Sequence, residues 1–69
     1  LRFRIDSLDN QICSLLRQRF ELALMTKKYK SNVIDEQREL VVLNRAKNFG
    51  DEIGIIYETI INECRKKQL

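Results

Sequence analysis

Histidine, proline and tryptophan are absent from this chain of 69 residues, and glycine occurs only twice. Without histidine, and without a C-x-x-C pair around Cys13 or Cys64, the sequence predicts no zinc site. Without proline, nothing interrupts long helices before the glycines at 50 and 54. No apolar run approaches the roughly 20 residues of a membrane-spanning helix. We therefore expect a cytoplasmic protein whose two cysteines are free, buried thiols.

The residues that are present are typical of a small helical domain. Hydrophobic residues make up 43% of the chain and charged residues 33%, a composition typical of a globular protein and not of a disordered chain. At this length we expect one domain over residues 1–69, near the lower limit for a self-sufficient core. The net charge of +3 favours an anionic partner only weakly and does not by itself indicate nucleic-acid binding.

The spacing of apolar residues predicts a long first helix, over about residues 1–30. Its apolar positions follow spacings of three and four, which place them on one stripe that faces other helices. This apolar stripe contains Ile5, Leu8, Ile12, Leu15, Leu22 and Tyr29.

Capping residues mark two further helices. Asp35 is predicted to cap a second helix that continues to about Asn48. Gly50 then stops this helix, and Asp51 is predicted to cap a third helix that ends near Gln68. The expected fold is all-α, with three helices of which the first is about as long as the other two combined.

The length of the first helix predicts an oligomer. Thirty helical residues span about 45 Å, whereas a compact domain of this size is only about 28 Å across. The two shorter helices cannot cover the whole apolar stripe, and a second copy of the chain can. We therefore expect a symmetric homodimer.

Several charged residues do not fit a plain helical bundle. Arg19 falls on the apolar stripe, and Lys30 follows it by eleven residues, which places both on one face of the helix. Asp35, Arg38 and Glu39 are spaced i, i+3, i+4 and share one side of the first turn of the second helix. A snorkelling or ion-paired Arg19 and an ordinary capping turn are the structural alternatives.

The remaining candidates lie at the two ends of the chain. Gln68 follows Cys64 by four residues, on the same stripe of the third helix. Arg2 precedes Arg19 by 17 residues, which places it about 100° away around the helix, so that it is better placed to complete the pocket of a partner chain. This set of cations with a carboxylate and an amide holds no nucleophile–base pair. It suits a small dianion whose reaction needs orientation and stabilisation of developing negative charge.

The sequence resembles one known family, the small all-α chorismate mutases, whose bacterial members are intertwined three-helix dimers. The resemblance covers nearly the whole chain in the same order, and it implies that the homodimer is intertwined, as a six-helix bundle. The matching segments are LRFRIDSLDNQICSLLRQRFELA, KKYK, IDEQREL and IINECRKKQ.

The resemblance implies conversion of chorismate to prephenate by a [3,3] rearrangement, without a cofactor. It implies that Arg2 of the other protomer and Arg19 bind the substrate carboxylates, and that Lys30 and Gln68 hydrogen-bond the ether oxygen. It further implies that Glu39 accepts a hydrogen bond from the ring hydroxyl. The implied site also contains Asp35, Arg38 and Cys64.

Two features depart from the family pattern. The connection from Lys30 to Asp35 is shorter than in typical members, and Cys64 stands where a serine is common.

Two other functions remain as alternatives. One is an isochorismate pyruvate-lyase, against which the carboxylate of Glu39 argues. The other is a non-catalytic helical interaction or regulatory domain, for which the sequence RKK at 65–67 would be an exposed basic patch.

Overall fold

The computed structural model describes residues 1–29 and 35–69, with the backbone alone at 27–29, and these residues form three helices and no strand. Helix α1 spans Arg2–Tyr29, α2 spans Glu36–Phe49 and α3 spans Asp51–Gln68. The all-α prediction with three helices is confirmed, and each predicted helix boundary lies within one or two residues of the observed one. Lys30, at the predicted end of the first helix, lies outside the described residues.

Helix α1 is much longer than α3, the helix that packs on it. Its 28 residues span about 42 Å at 1.5 Å per residue, and the molecule measures 46 × 23 × 14 Å. Helix α3 packs against both α1 and α2. Residues 1–15 of the chain are all exposed, and on the apolar stripe Ile12 and Leu15 keep 53% and 63% of their surface accessible.

The exposure of the first half of α1 makes one prediction wrong. Cys64 is buried, as expected, but Cys13 is exposed. The periodicity of α1 correctly indicates that Cys13 belongs to an amphipathic helix. It does not indicate how far along that helix the other two helices of the same chain extend.

The core of the chain is built largely from small side chains. Ala23, Ala46, Ile61 and Cys64 are the buried hydrophobic residues among those described, and Gly54 of α3 is also buried. A Cβ atom added at Gly54 would lie 2.6 Å from Cγ of Lys47, so the glycine allows α3 to approach α2 closely.

The caps of α2 explain where it begins and ends. Asp35 accepts a hydrogen bond from the backbone N–H of Arg38 at 3.1 Å, which confirms it as the N-cap. Gly50 has φ of +149°, a value that favours glycine, and its N–H donates to the carbonyl of Lys47 at 3.0 Å.

The predicted cap of α3 is wrong by one residue. Gly50 itself precedes α3, and Asp51 is already the first helical residue. The positive φ of Gly50 reverses the chain within one residue, so α3 starts without a side-chain cap. Asp51 and Glu52 instead place negative charge at the amino end of α3, where the helix dipole favours it.

Candidate active site

A cavity of about 290 Å³ lies where the carboxyl half of α1, the first turns of α2 and the last turns of α3 meet. We call it the three-helix cavity. Apolar side chains such as Leu22, Val42 and Ile61 form part of its wall. Six of the eight predicted site residues also line it: Arg19, Asp35, Arg38, Glu39, Cys64 and Gln68.

Arg19 is accommodated on the apolar stripe because its guanidinium group contacts other side chains of the protein. Its Nη1 donates a hydrogen bond to Sγ of Cys64 at 2.6 Å, and its guanidinium carbon lies 5.5 Å from the centroid of the Tyr57 ring. An arginine binds well over the face of an aromatic ring while its other N–H groups remain available. The partners of Arg19 are thus a thiol and a ring, not the glutamate that a local ion pair would require.

The first turn of α2 presents three of the predicted residues to the cavity. The backbone N–H of Arg38 binds the carboxylate of Asp35, and this bond holds the turn at the mouth of the cavity. Arg38 is exposed, whereas Glu39 is half-buried with 21% of its side chain accessible. The i, i+3, i+4 spacing therefore does bring these residues to one side of α2, as predicted.

Glu39 is bound by Arg65, which sequence reasoning assigned only to an exposed basic patch. Nε of Arg65 lies 3.0 Å from each carboxylate oxygen of Glu39, and Nη2 lies 2.6 Å from Oε1. These hydrogen bonds, together with the negative charge of Glu39, raise the pKa of Arg65 above its ordinary value. One signal of this role was available, because Arg65 follows the buried Ile61 by four residues and therefore lies at the edge of the inner stripe.

The rest of the expected basic patch is also divided among partners. Nζ of Lys66 donates to Glu63 at 2.8 Å, and this bond lowers the pKa of the Glu63 carboxyl. Nζ of Lys67 lies 5.1 Å from the centroid of the Phe20 ring. The three consecutive cations thus contact three different side chains and do not form one exposed cluster.

Helix α3 contributes Cys64 and Gln68 on one side of its last two turns. Cys64 retains only 6% of its surface accessible, and Gln68 is half-buried as the last residue of the helix. Both line the three-helix cavity. Their spacing of four residues, read from the sequence, correctly predicts that they share a face.

Two predicted residues are not among those that line the cavity. Lys30 lies outside the described residues. Arg2 is exposed at the opposite end of α1, and the 17 residues that separate it from Arg19 correspond to about 25 Å along the helix. The Arg2 side chain therefore cannot reach the cavity of its own chain.

The charges in the cavity leave its arginines available to an anion. Asp35 is occupied as a helix cap, and Glu39 is bound by Arg65. Within residues 1–29 and 35–69, no carboxylate forms a salt bridge with Arg19 or Arg38. Guanidinium groups match carboxylates geometrically, so this arrangement can bind and orient a small carboxylate-bearing molecule.

The described part of the chain also bears on metal binding and on membrane insertion. No group of three histidine, cysteine, aspartate or glutamate side chains there is arranged to hold a metal ion. None of the helices in that part combines the length and apolarity needed to cross a bilayer.

Comparison with known proteins identifies a family. The sequence model of the family described as chorismate mutase type II matches residues 1–69, which is the whole chain. No curated protein and no solved structure matches the chain at a significant level.

Proposed function

Because the chain belongs to the chorismate mutase type II family, we propose that it converts chorismate to prephenate, the branch step toward phenylalanine and tyrosine. The observation that carries the proposal is the convergence of Arg19, Arg38, Glu39 and Gln68, from three helices, on one cavity. This set combines donors for carboxylates, an acceptor for a hydroxyl and an uncharged amide donor.

The reaction requires no covalent bond between the substrate and the protein. Within one molecule, the carbon–oxygen bond of the ether breaks while a carbon–carbon bond forms, and no proton moves. The enzyme therefore accelerates the reaction by holding the substrate in its reactive conformation and by stabilising negative charge on the ether oxygen. A site without histidine is suited to such a reaction.

The substrate is a dianion, and the proposed roles begin with its two carboxylates. Arg19 binds one of them, with Nη1 hydrogen-bonded to Cys64 and the guanidinium oriented by the Tyr57 ring. Arg2 of a second protomer binds the other. Arg38 adds positive potential at the mouth of the cavity, and Cys64 contributes a weak thiol contact.

The remaining roles concern the ether oxygen and the ring hydroxyl. Lys30 and Gln68 donate hydrogen bonds to the ether oxygen as its bond to carbon breaks. Glu39 accepts from the ring hydroxyl, and the backbone near Asp35 assists it. No cofactor takes part in this scheme.

The same proposal includes a homodimer in which the chains are intertwined. Residues 1–15, which include the first half of α1, are exposed in the single chain, and among them are the first four positions of the apolar stripe. Association of two copies through these stripes would bury them and bring Arg2 of each chain toward the cavity of the other.

The test is direct. Purified protein is incubated with chorismate, the loss of chorismate absorbance is followed, and prephenate is detected by its acid conversion to phenylpyruvate. We expect Lys30→Ala to lower kcat/KM by about 1,000-fold, since it removes a charged donor to the oxygen that gains charge. Lys66→Ala is the matched control, because Lys66 is exposed and paired with Glu63.

Isochorismate is the second substrate in this assay. Release of pyruvate from isochorismate, without turnover of chorismate, would replace the mutase by the lyase. A folded protein that acts on neither substrate would favour a non-catalytic interaction domain.

A further inference from the structure

The carboxylate of Glu39 lies between two neighbouring cavities. Glu39 and Ile61 line both the three-helix cavity and an open groove between α2 and α3. Arg65 lines the groove and is not among the residues that line the three-helix cavity. The guanidinium therefore approaches Glu39 from the side away from the three-helix cavity.

The contact between Arg65 and Glu39 restrains the carboxylate firmly. Three N–H···O contacts of 2.6 to 3.0 Å join the two groups, and 38% of the Arg65 side chain and 21% of the Glu39 side chain remain accessible. A guanidinium that contacts both oxygens fixes the plane and the position of a carboxylate better than a single hydrogen bond does. Exposed pairs such as Lys66–Glu63 have no comparable restraint.

We propose that Arg65 is a positioning residue for the reaction proposed above: by binding Glu39 from the groove side, it keeps this carboxylate oriented as a hydroxyl acceptor and cancels its charge toward the substrate. The inference rests on the proposed function, since it assigns Arg65 a role in that same site. Arg65 acts through Glu39 and does not touch the substrate.

Two consequences of losing Arg65 follow from electrostatics. An uncompensated carboxylate on the cavity wall would repel a dianionic substrate. The side chain of Glu39, once released, could also turn toward Arg19 and occupy the guanidinium that the substrate carboxylate requires. Both effects weaken substrate binding, so the expected change lies mainly in KM.

The experiment measures kcat and KM for chorismate in Arg65→Gln and Arg65→Lys, with Lys66→Gln as the control. Lys66→Gln removes the same charge from the adjacent residue of α3 without touching Glu39. We expect KM to rise by about 10-fold in Arg65→Gln, by less in Arg65→Lys, and by less than about 2-fold in Lys66→Gln. Partial unfolding of α3 would instead lower kcat through loss of active enzyme and leave KM unchanged.

The Glu39→Gln background separates positioning from any general effect of charge. If Arg65 acts only through Glu39, then Arg65→Gln raises KM by less than about 2-fold when Glu39 is already glutamine. Circular dichroism and sedimentation are the controls that check whether each variant is folded and assembled as the wild type is.

The outcomes are distinguishable. Wild-type turnover with an unchanged KM in Arg65→Gln, or the same 10-fold rise in both backgrounds, overturns the role of Arg65 and leaves the mutase standing. A wild-type protein that does not turn over chorismate overturns the proposed function and the role of Arg65 together.

Discussion

Cys64 places a thiol at a position of the cavity where a hydroxyl would form stronger hydrogen bonds. It is almost fully buried, lines the three-helix cavity and receives a hydrogen bond from Arg19. A thiol is a weak donor and a weak acceptor, whereas a hydroxyl of similar size does both well. Substitution of Cys64 therefore tests whether the cavity binds a carboxylate at this point.

We expect Cys64→Ser to lower the KM for chorismate by about fivefold, which corresponds to about 1 kcal/mol for one better hydrogen bond. The reason is that a serine hydroxyl can donate to a substrate carboxylate while still accepting from Arg19. Cys64→Ala is the control for packing and should not lower KM. Steady-state kinetics on the three proteins decide the matter, and equal KM values in wild type and Cys64→Ser would contradict a carboxylate contact here.

At the level of single residues, the sequence predicts well where spacing within one helix decides the outcome. The positions of Arg19, Cys64 and Gln68 on inner stripes, and the shared side of Arg38 and Glu39, follow from the helical repeat alone. The partnership of Glu39 with Arg65 does not, because the two residues are 26 apart and meet only through the crossing of α2 and α3.

At the level of elements, the start of α2 links stability to the site. Asp35 satisfies the backbone N–H of Arg38 with its carboxylate, and its own carbonyl accepts from the N–H of Glu39 at 3.0 Å. The turn that presents Arg38 and Glu39 to the cavity is thus the turn that the cap stabilises.

We expect Asp35→Ala to lower the free energy of unfolding by about 1 kcal/mol, the usual loss for an N-cap. Asp35→Asn is the matched control, since an amide oxygen can still accept from the N–H of Arg38. Urea unfolding at one fixed protein concentration measures the difference. Equal stability of Asp35→Ala and wild type would show that the cap contributes nothing.

The extent of each helix was predictable to within about two residues, because apolar spacing and caps are local signals. The junction between α2 and α3 shows the limit of this reasoning. Gly50 adopts a φ of +149° and leaves no residue free to serve as a side-chain cap before Asp51. That backbone geometry depends on how the two helices pack, which no local pattern encodes.

At the scale of the whole molecule, the length of α1 is the feature that a single chain does not explain. The molecule extends to 46 Å in one direction, and its first 15 residues are exposed. Arg2 lies at that far end, whereas the cavity lies around Arg19. In the proposed dimer, a second copy bound along α1 would account for both observations, since it would cover the apolar stripe and bring its own Arg2 to the site.

The most direct measurement is the mutase activity recovered when Arg2→Ala and Arg19→Ala chains are refolded together. Each variant alone has no intact site, whereas every mixed dimer contains one site with both arginines. Random pairing should restore up to about a quarter of the wild-type activity, because half of the dimers are mixed and each has one of two sites intact. If mixed dimers form, as shown by the mass of differently tagged chains, and activity stays at the level of the separate variants, the shared-site account is wrong.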